Sequence, residues 1–241
     1  LEKKTKIMKC VINYNLEDLY NTKAGKTVNI LGAGCSLFNV NKEKLEKHDC
    51  IYINSAALII PESFNKDSLK IWLSIDRLST RWSYFSEIVV PNKCLKFVAK
   101  NFDIYCGQLL GNNFRFFEVR SEKISELYDN KLSGPSSVPA AIDLAMKMGY
   151  SKILLYGIDH RFIQGKSHFW QFYPKNKQPK CIGLKNISMR EQKKVFDKNL
   201  DSFVLLKKMA DLYGIEIFNC CKITTSLKVF SLLNISEGLK L

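Results

Sequence analysis

Apolar and polar positions along the chain fall into blocks. Short apolar runs alternate with amphipathic or polar stretches, the pattern of β-α units feeding a largely parallel sheet. Val28–Leu31 is predicted as the first strand, and it stops at a glycine turn, Gly32-Ala33-Gly34-Cys35-Ser36. A polar helical stretch over 41–48 leads to a second strand, Cys50–Ile53, which ends on Asn54-Ser55. A third, Lys70–Ile75, ends on Asp76. Residues 77–87 read as helix and Ile88–Val90 as a strand stopped by Pro91, with further strands at Leu95–Val98 and Phe114–Val119.

Ser133-Gly134-Pro135-Ser136-Ser137 then opens a helix. Val138, Ala141, Ile142, Ala145 and Met148 recur at helical spacing, and Gly149 marks its end. Lys152–Tyr156 is a strand that delivers Gly157-Ile158-Asp159-His160. The irregular stretch from Arg161 to Met189 is too long for an ordinary βα loop and is expected to be a lid or binding loop. A long helix from Arg190 to Tyr213 ends at Gly214, and Ile215–Phe218 reads as a last core strand.

The fold expected is α/β and Rossmann-like: a mostly parallel sheet flanked by helices, in a single domain over 27–241 with a lid at about 160–189. Residues 1–26 read as an N-terminal extension, with residues 1–7 expected to be a remnant ahead of a native Met8. A chain of 241 residues that is 46% hydrophobic buries a substantial core and is not disordered.

Charge and cysteine usage narrow the surroundings. With 37 basic against 23 acidic residues the formal charge is +14, which attracts anions. The basic residues are scattered, densest at 175–180, without the aromatic-flanked repeats of a nucleic-acid module, so no nucleic-acid partner is expected. A solvated surface explains the charge equally well. The cysteines at 10, 35, 50, 94, 106, 181, 220 and 221 form no C-x-x-C pair, which reads as a reducing, cytoplasmic setting. No apolar run reaches the roughly 18 residues of a membrane helix, and no signal peptide is seen. Peripheral association with the inner face of a membrane remains compatible with the charge, and so does a homo-oligomer.

The candidate chemistry clusters just past the strand ends, where open α/β sheets bind ligands. Gly32 and Gly34 let backbone approach a phosphate, and Ser36 adds a donor at the following helical turn. The motif is not a full dinucleotide fingerprint, because Leu37 stands at its third glycine position and strand two ends on Asn54 rather than an acid. A mononucleotide or pyrimidine base fits that neutral amide better. Ser133, Gly134 and Ser136 sit at a helix start that favours an anion, or else form an ordinary cap. Asp76 and Asp159 end strands and offer carboxylates for a ribose, a Mg²⁺ ion or base catalysis; each is also a common cap residue. His48 lies on a polar stretch. His160 and His168 are acid/base candidates, and their spacing is not that of a metal site, so no metal ligands are assigned. Cys35 is weighed as a nucleophile without a partner base. Phe169, Trp170, Phe172 and Tyr173 either stack on a ligand or pin the lid.

Three segments in order, Leu31-Gly-Ala-Gly-Cys-Ser-Leu37, Leu132–Ile153 and Tyr156-Gly-Ile-Asp-His160, resemble the MptE-like family, which includes 6-hydroxymethylpterin diphosphokinases. They are also similar to bacterial family 42 sialyltransferases. The pattern extends to Ile215–Cys220 and covers roughly residues 27–230. The sialyltransferase resemblance implies CMP-sugar contacts at Gly34, Ser36, Asn54, Ser133, Gly134 and Asp159, with a lid histidine as catalyst and no required cofactor. That family's histidine lies shortly before the final helix; here the last histidine is His168, which must take the role. The MptE-like resemblance implies ATP, Mg²⁺ and metal-binding carboxylates at Asp76 or Asp159.

The function expected is therefore a nucleotide-dependent transferase. The leading form is a glycosyltransferase using a CMP-type activated sugar and a glycan or lipid-linked glycan acceptor. In that form His168, Asp159 and His160 are the catalytic candidates, and Gly32, Gly34, Ser36, Asn54, Asp76, Ser133, Gly134 and Ser136 hold the donor. Its rivals are an ATP- and Mg²⁺-dependent diphosphokinase and a silent nucleotide- or glycan-binding module.

Overall fold

The computed structural model describes residues 15–63, 65–100, 113–120, 127–181 and 189–241, apart from the side chains of 189–193, 195, 196 and 198. Residues 1–7, Met8, Cys10, Cys106 and the last part of the expected lid, 182–188, lie outside the described residues. Every apolar run but one pairs as a strand: β1 (Thr27–Leu31), β2 (Asp49–Ile53), β3 (Lys70–Ser74), β4 (Leu95–Ala99), β5 (Phe114–Val119), β7 (Lys152–Tyr156) and β8 (Glu216–Asn219). Two short edge strands, β6 (Lys131–Leu132) and β9 (Ser231–Leu232), complete a nine-stranded sheet among the described residues.

All pairings are parallel, in the order β6-β5-β4-β3-β2-β1-β7-β8-β9. The chain walks outward from β1 to β6, then returns through one helix to β7 on the other side of β1. The strand order thus reverses between β1 and β7, where Ile30 lies opposite both Ile51 and Leu155. Strands buried on both faces need apolar residues on both, which is why β2, β3 and β7 read as nearly unbroken apolar runs.

Among the described residues four helices join the sheet: α1 (Lys42–Leu45), α2 (Ser137–Lys147), α3 (Met189–Leu212) and α4 (Ile235–Gly238). One sheet face is covered by α2 and α3, with Ile30, Ile51, Leu73, Ala141, Leu144, Ile153 and Phe203 in its core. Shorter pieces cover the other face, around Leu31, Leu37, Trp72, Phe85, Val89 and Phe169. Leu16 is fully buried in the first core, its amide donates to Asn130 Oδ1 (2.7 Å), and Lys23 pairs with Asp49 (3.1 Å). Residues 16–26 of the expected extension therefore pack on the domain.

Three local expectations change. The helical stretch over 41–48 shortens to one turn, because the buried Lys70 ammonium caps its carbonyls at Leu45 (3.2 Å), Glu46 (3.0 Å) and His48. Ile88–Val90 is not a strand: Phe85–Val89 forms a wide helical turn closed by Val90 N on Phe85 O (2.9 Å). Phe85 and Val89, four apart, both fall on its buried side, and Phe85 packs on Trp72 with ring centroids 5.8 Å apart. Finally, β8 is not the last strand, since β9 continues the sheet.

Candidate functional site

The glycine turn after β1 and the Gly157–Asp159 turn after β7 are locked together. Gly32 N donates to Tyr156 O (2.7 Å) and Gly34 N to Gly157 O (2.8 Å). A Cβ on Gly32 would stand 2.5 Å from Gly157 O, and one on Gly34 would stand 2.6 Å from both Gly157 O and Asp159 Oδ2. Both glycines are thus required by backbone contact between two turns, and their amides are already committed. Ser36 points the same way: its amide donates to Asp159 Oδ2 (2.8 Å), and its buried hydroxyl meets Cys221 Sγ (3.1 Å). Asp159 is 2% exposed, and its other oxygen accepts from Thr224 Oγ1 (2.5 Å). This carboxylate is a pillar beneath the turn.

The neighbouring histidine, His160, adopts φ +53° and sets its ring edge-on to Phe203 of α3, 5.8 Å between centroids. It belongs to the helix-covered side. Asp76 is exposed and caps the helical turn that follows it, accepting from Leu78 N (2.9 Å). Cys35 is buried, and burial pushes its thiol up to about 11, the wrong direction for a nucleophile.

The start of α2 and the end of β2 converge. Asn54 sits at φ +51°, a conformation asparagine tolerates better than most residues, with its carbonyl held by Trp72 Nε1 (2.9 Å). Its Oδ1 accepts from Ser137 Oγ (3.3 Å), and Ser137 Oγ accepts from Ile75 N (3.0 Å). The side-chain NH₂ of Asn54 is left to donate. Ser136 is the N-cap residue of α2, and its buried hydroxyl has no partner among the described residues. Ser133 is drawn inward: its amide and hydroxyl donate to Asp143 Oδ2 (2.8 and 3.0 Å), and Asp143 pairs with Lys147 (3.3 Å). Gly134 follows with its Cα against Val119 and Arg120, where a Cβ would come within 3.2 Å of both. Ser133 and Gly134 therefore shape the loop, while Ser136 and the α2 amides face the helix start.

The lid runs across this edge. Phe169 N donates to Ala33 O (3.1 Å), so the lid lies on the glycine turn, and Trp170 Nε1 donates to Ser55 Oγ (3.1 Å). Phe169 and Trp170 are buried, while Phe172 and Tyr173 pack on Phe38. The aromatic cluster thus pins the lid. His168 directly precedes the two anchors, its ring 5.4 Å from that of Trp170.

Gln171 organises the histidine. Its Oε1 accepts from Ser167 N (2.8 Å) and His168 N (2.9 Å), two fixed N–H donors that identify that atom as oxygen. Ser167 Oγ also reaches Oε1 (3.4 Å) and lies 2.7 Å from His168 Nδ1. The Ser167 hydroxyl thus holds the imidazole through Nδ1, and Gln171 holds that hydroxyl and the His168 amide in place. Burial alone lowers the His168 pKa from 6.5 to about 4, so the ring is neutral at physiological pH.

Of the residues singled out in the sequence, the structure gathers Gly32, Gly34, Ser36 and Asp159 into one interlock. It gathers Asn54, Ser136 and His168 along an adjoining edge, and leaves Asp76 and His160 outside both. Ser55 and Ser137 stand in the sequence only as parts of a strand end and a helix start, and Ser167, Gln171 and Thr224 are not singled out there. His168 and Gln171 stand three apart across a short helical turn, the spacing of a cap and its return residue, and that was the available signal. Among the described residues no group of three His, Cys, Asp or Glu side chains is placed to hold a metal ion.

No protein-family model matches the chain, and no curated protein sequence does. Among solved structures it is similar to the MAf glycosyltransferase from Magnetospirillum magneticum AMB-1, with TM-score 0.55 and 13% identity, over 92% of this chain and 38% of that one. It is also similar to the sialyltransferase CstII from Campylobacter jejuni, in complex with a substrate analogue, cytidine-5'-monophosphate. There the TM-score is 0.47 and the identity 15%, over 88% of this chain and 86% of that one. At 13% identity the first likeness shows the fold alone, in keeping with the Rossmann-like α/β sheet described above, and the chain spans 38% of the length of that structure. Neither structure bears on the MptE-like resemblance.

Proposed function

We propose that the chain is a glycosyltransferase that moves a sugar from a CMP-type nucleotide donor to a glycan or lipid-linked glycan acceptor. The observation that carries the reading is His168: a neutral imidazole, oriented by Ser167 and Gln171, directly ahead of Phe169 and Trp170, which tie the lid to Ala33 of the glycine turn and to Ser55 beside Asn54.

Because the amides of Gly32, Gly34 and Ser36 are committed, the donor phosphate sits at the start of α2, with the Ser136 hydroxyl as a donor. The NH₂ of Asn54 reads a carbonyl of the base. His168 Nε2 takes the proton from the acceptor hydroxyl, that oxygen bonds to the anomeric carbon, and the bond to phosphate breaks with its electron pair going to CMP. Asp159 acts as a positioning residue, and no cofactor is required.

A Mg²⁺-dependent diphosphokinase fits less well. Both Asp159 oxygens are engaged, and Asp76 is used as a cap. The work takes place at the cytoplasmic face of a membrane; among the described residues no helix is long and apolar enough to cross one. Thermal-shift titration with CMP, UDP, GDP and ATP–Mg²⁺ tests the reading. Stabilisation by CMP supports it, and stabilisation by ATP–Mg²⁺ alone replaces it with the diphosphokinase.

A further inference from the structure

A second concavity lies behind the interlocked turns, on the side of the sheet away from α2 and α3. It is a groove of about 560 Å³ between the segment that leads into α1 and the chain end around α4. Cys220, Ile223, Ile235 and Leu239 make its apolar lining, and Asn39, Asn41, Lys44, Lys222, Asn234 and Ser236 supply its polar groups. No acidic side chain lines it. Glu237, beside it, is turned to Asn234 N (2.6 Å). Lys44 and Lys222 are exposed and have no acidic partner among the described residues. Asn41 Oδ1 already accepts from Glu43 N (3.0 Å) and Lys44 N (3.4 Å), so its NH₂ is the end left for a ligand.

The groove therefore offers cations and N–H donors above an apolar bed. Ile223, 83% exposed, stands at its rim and extends the apolar lining outward. Behind Cys220 the packing is tight: a Cβ on Gly238 would meet Cys220 Sγ at 2.5 Å and Tyr156 Oη at 2.6 Å.

We infer that this groove is a binding site for an organic phosphate with an apolar body, the phosphate between Lys44 and Lys222 and the body along Ile223, Ile235 and Leu239. Lysine matches a phosphate as a point charge, and the apolar lining excludes a bare ion as the preferred ligand. None of the groove's residues belongs to the lid or to the edge at Asn54, but the groove adjoins the turn interlock, because Cys221 and Thr224, also in its lining, meet Ser36 and Asp159.

Calorimetry on the full chain with farnesyl phosphate, farnesol and inorganic phosphate tests it. Farnesyl phosphate is expected to bind at least about tenfold more tightly than either other probe, and K44Q/K222Q, two exposed positions, is expected to cost about tenfold. The double lysine variant is expected to keep the wild-type melting temperature. Flotation with phosphatidylcholine vesicles carrying phosphatidic acid separates the sources. Calorimetric binding without flotation identifies a free phosphate ester, and binding with flotation that K44Q/K222Q abolishes identifies a lipid headgroup. No binding of farnesyl phosphate, binding unchanged in K44Q/K222Q, or inorganic phosphate binding equally well would each overturn the inference.

Discussion

The indole nitrogen of Trp170 lies 3.1 Å from the hydroxyl of Ser55, a single buried hydrogen bond that latches the lid to the sheet one residue beyond Asn54. Trp170→Phe leaves Ser55 with a buried, unpaired hydroxyl and is expected to cost about 1–3 kcal/mol. Adding Ser55→Ala removes the stranded partner, so the double variant is expected to recover part of that loss. Urea melts of the three variants measure this. Additive losses would mean that the contact is not the latch.

The turn interlock makes a steric prediction. Gly34 has an ordinary φ of −66°, so alanine is excluded by crowding against Asp159 and Gly157 rather than by backbone conformation. Gly34→Ala is expected to lose about 1–3 kcal/mol through the forced separation of two packed turns. Serine at the same place should be no better. An alanine variant as stable as wild type would show that the turns are not in contact.

Burial of neutral His168 has a definite pH signature. Its folded pKa, about 4, lies below the unfolded value of 6.5, so between these pH values the unfolded chain binds more protons. The histidine therefore costs nothing above about pH 6.5, and stability falls as pH drops from there toward about 4. His168→Gln is expected to flatten that part of the stability curve, as read by melts across the range. An unchanged acid limb would mean that the ring is solvated.

Gln171 positions the His168 turn, so its replacement separates positioning from folding. Gln171→Glu keeps an acceptor for the Ser167 and His168 amides and adds a negative charge near the ring. The acid limb of kcat is expected to move to higher pH, because the anion favours imidazolium. Gln171→Ala is expected to lower kcat with little change in donor affinity. A profile identical to wild type in both variants would remove Gln171 from the account.

Much of the fold could be read from apolar periodicity, because doubly buried strands leave continuous runs such as Ile51–Ile53 and Ile153–Tyr156. Ile88–Val90 misled because an apolar triplet serves a helical turn as well as a strand; what decides is Trp72, sixteen residues earlier and on another element. The edge strands β6 and β9 are two residues each and too short to carry a period. At the site, the sequence named Gly34 and Asp159 correctly as a pair of positions at one edge, yet their mutual contact is what consumes them. Only tertiary geometry reveals that Gly34 has no room and that Asp159 has no free oxygen. Ser55 and Gln171 carry no motif, and their roles come entirely from what lies opposite them.

The central claim is that His168 takes the acceptor proton at a CMP-sugar site. The direct measurement is CMP release from a CMP-linked sugar by wild type and His168→Ala, alongside CMP affinity of both. Wild type is expected to release CMP, with His168→Ala slowed at least about a hundredfold, the usual scale for loss of an acid/base group, and CMP affinity nearly unchanged. Equal CMP release by the two proteins, or no affinity of wild type for CMP while ATP–Mg²⁺ binds, would contradict it.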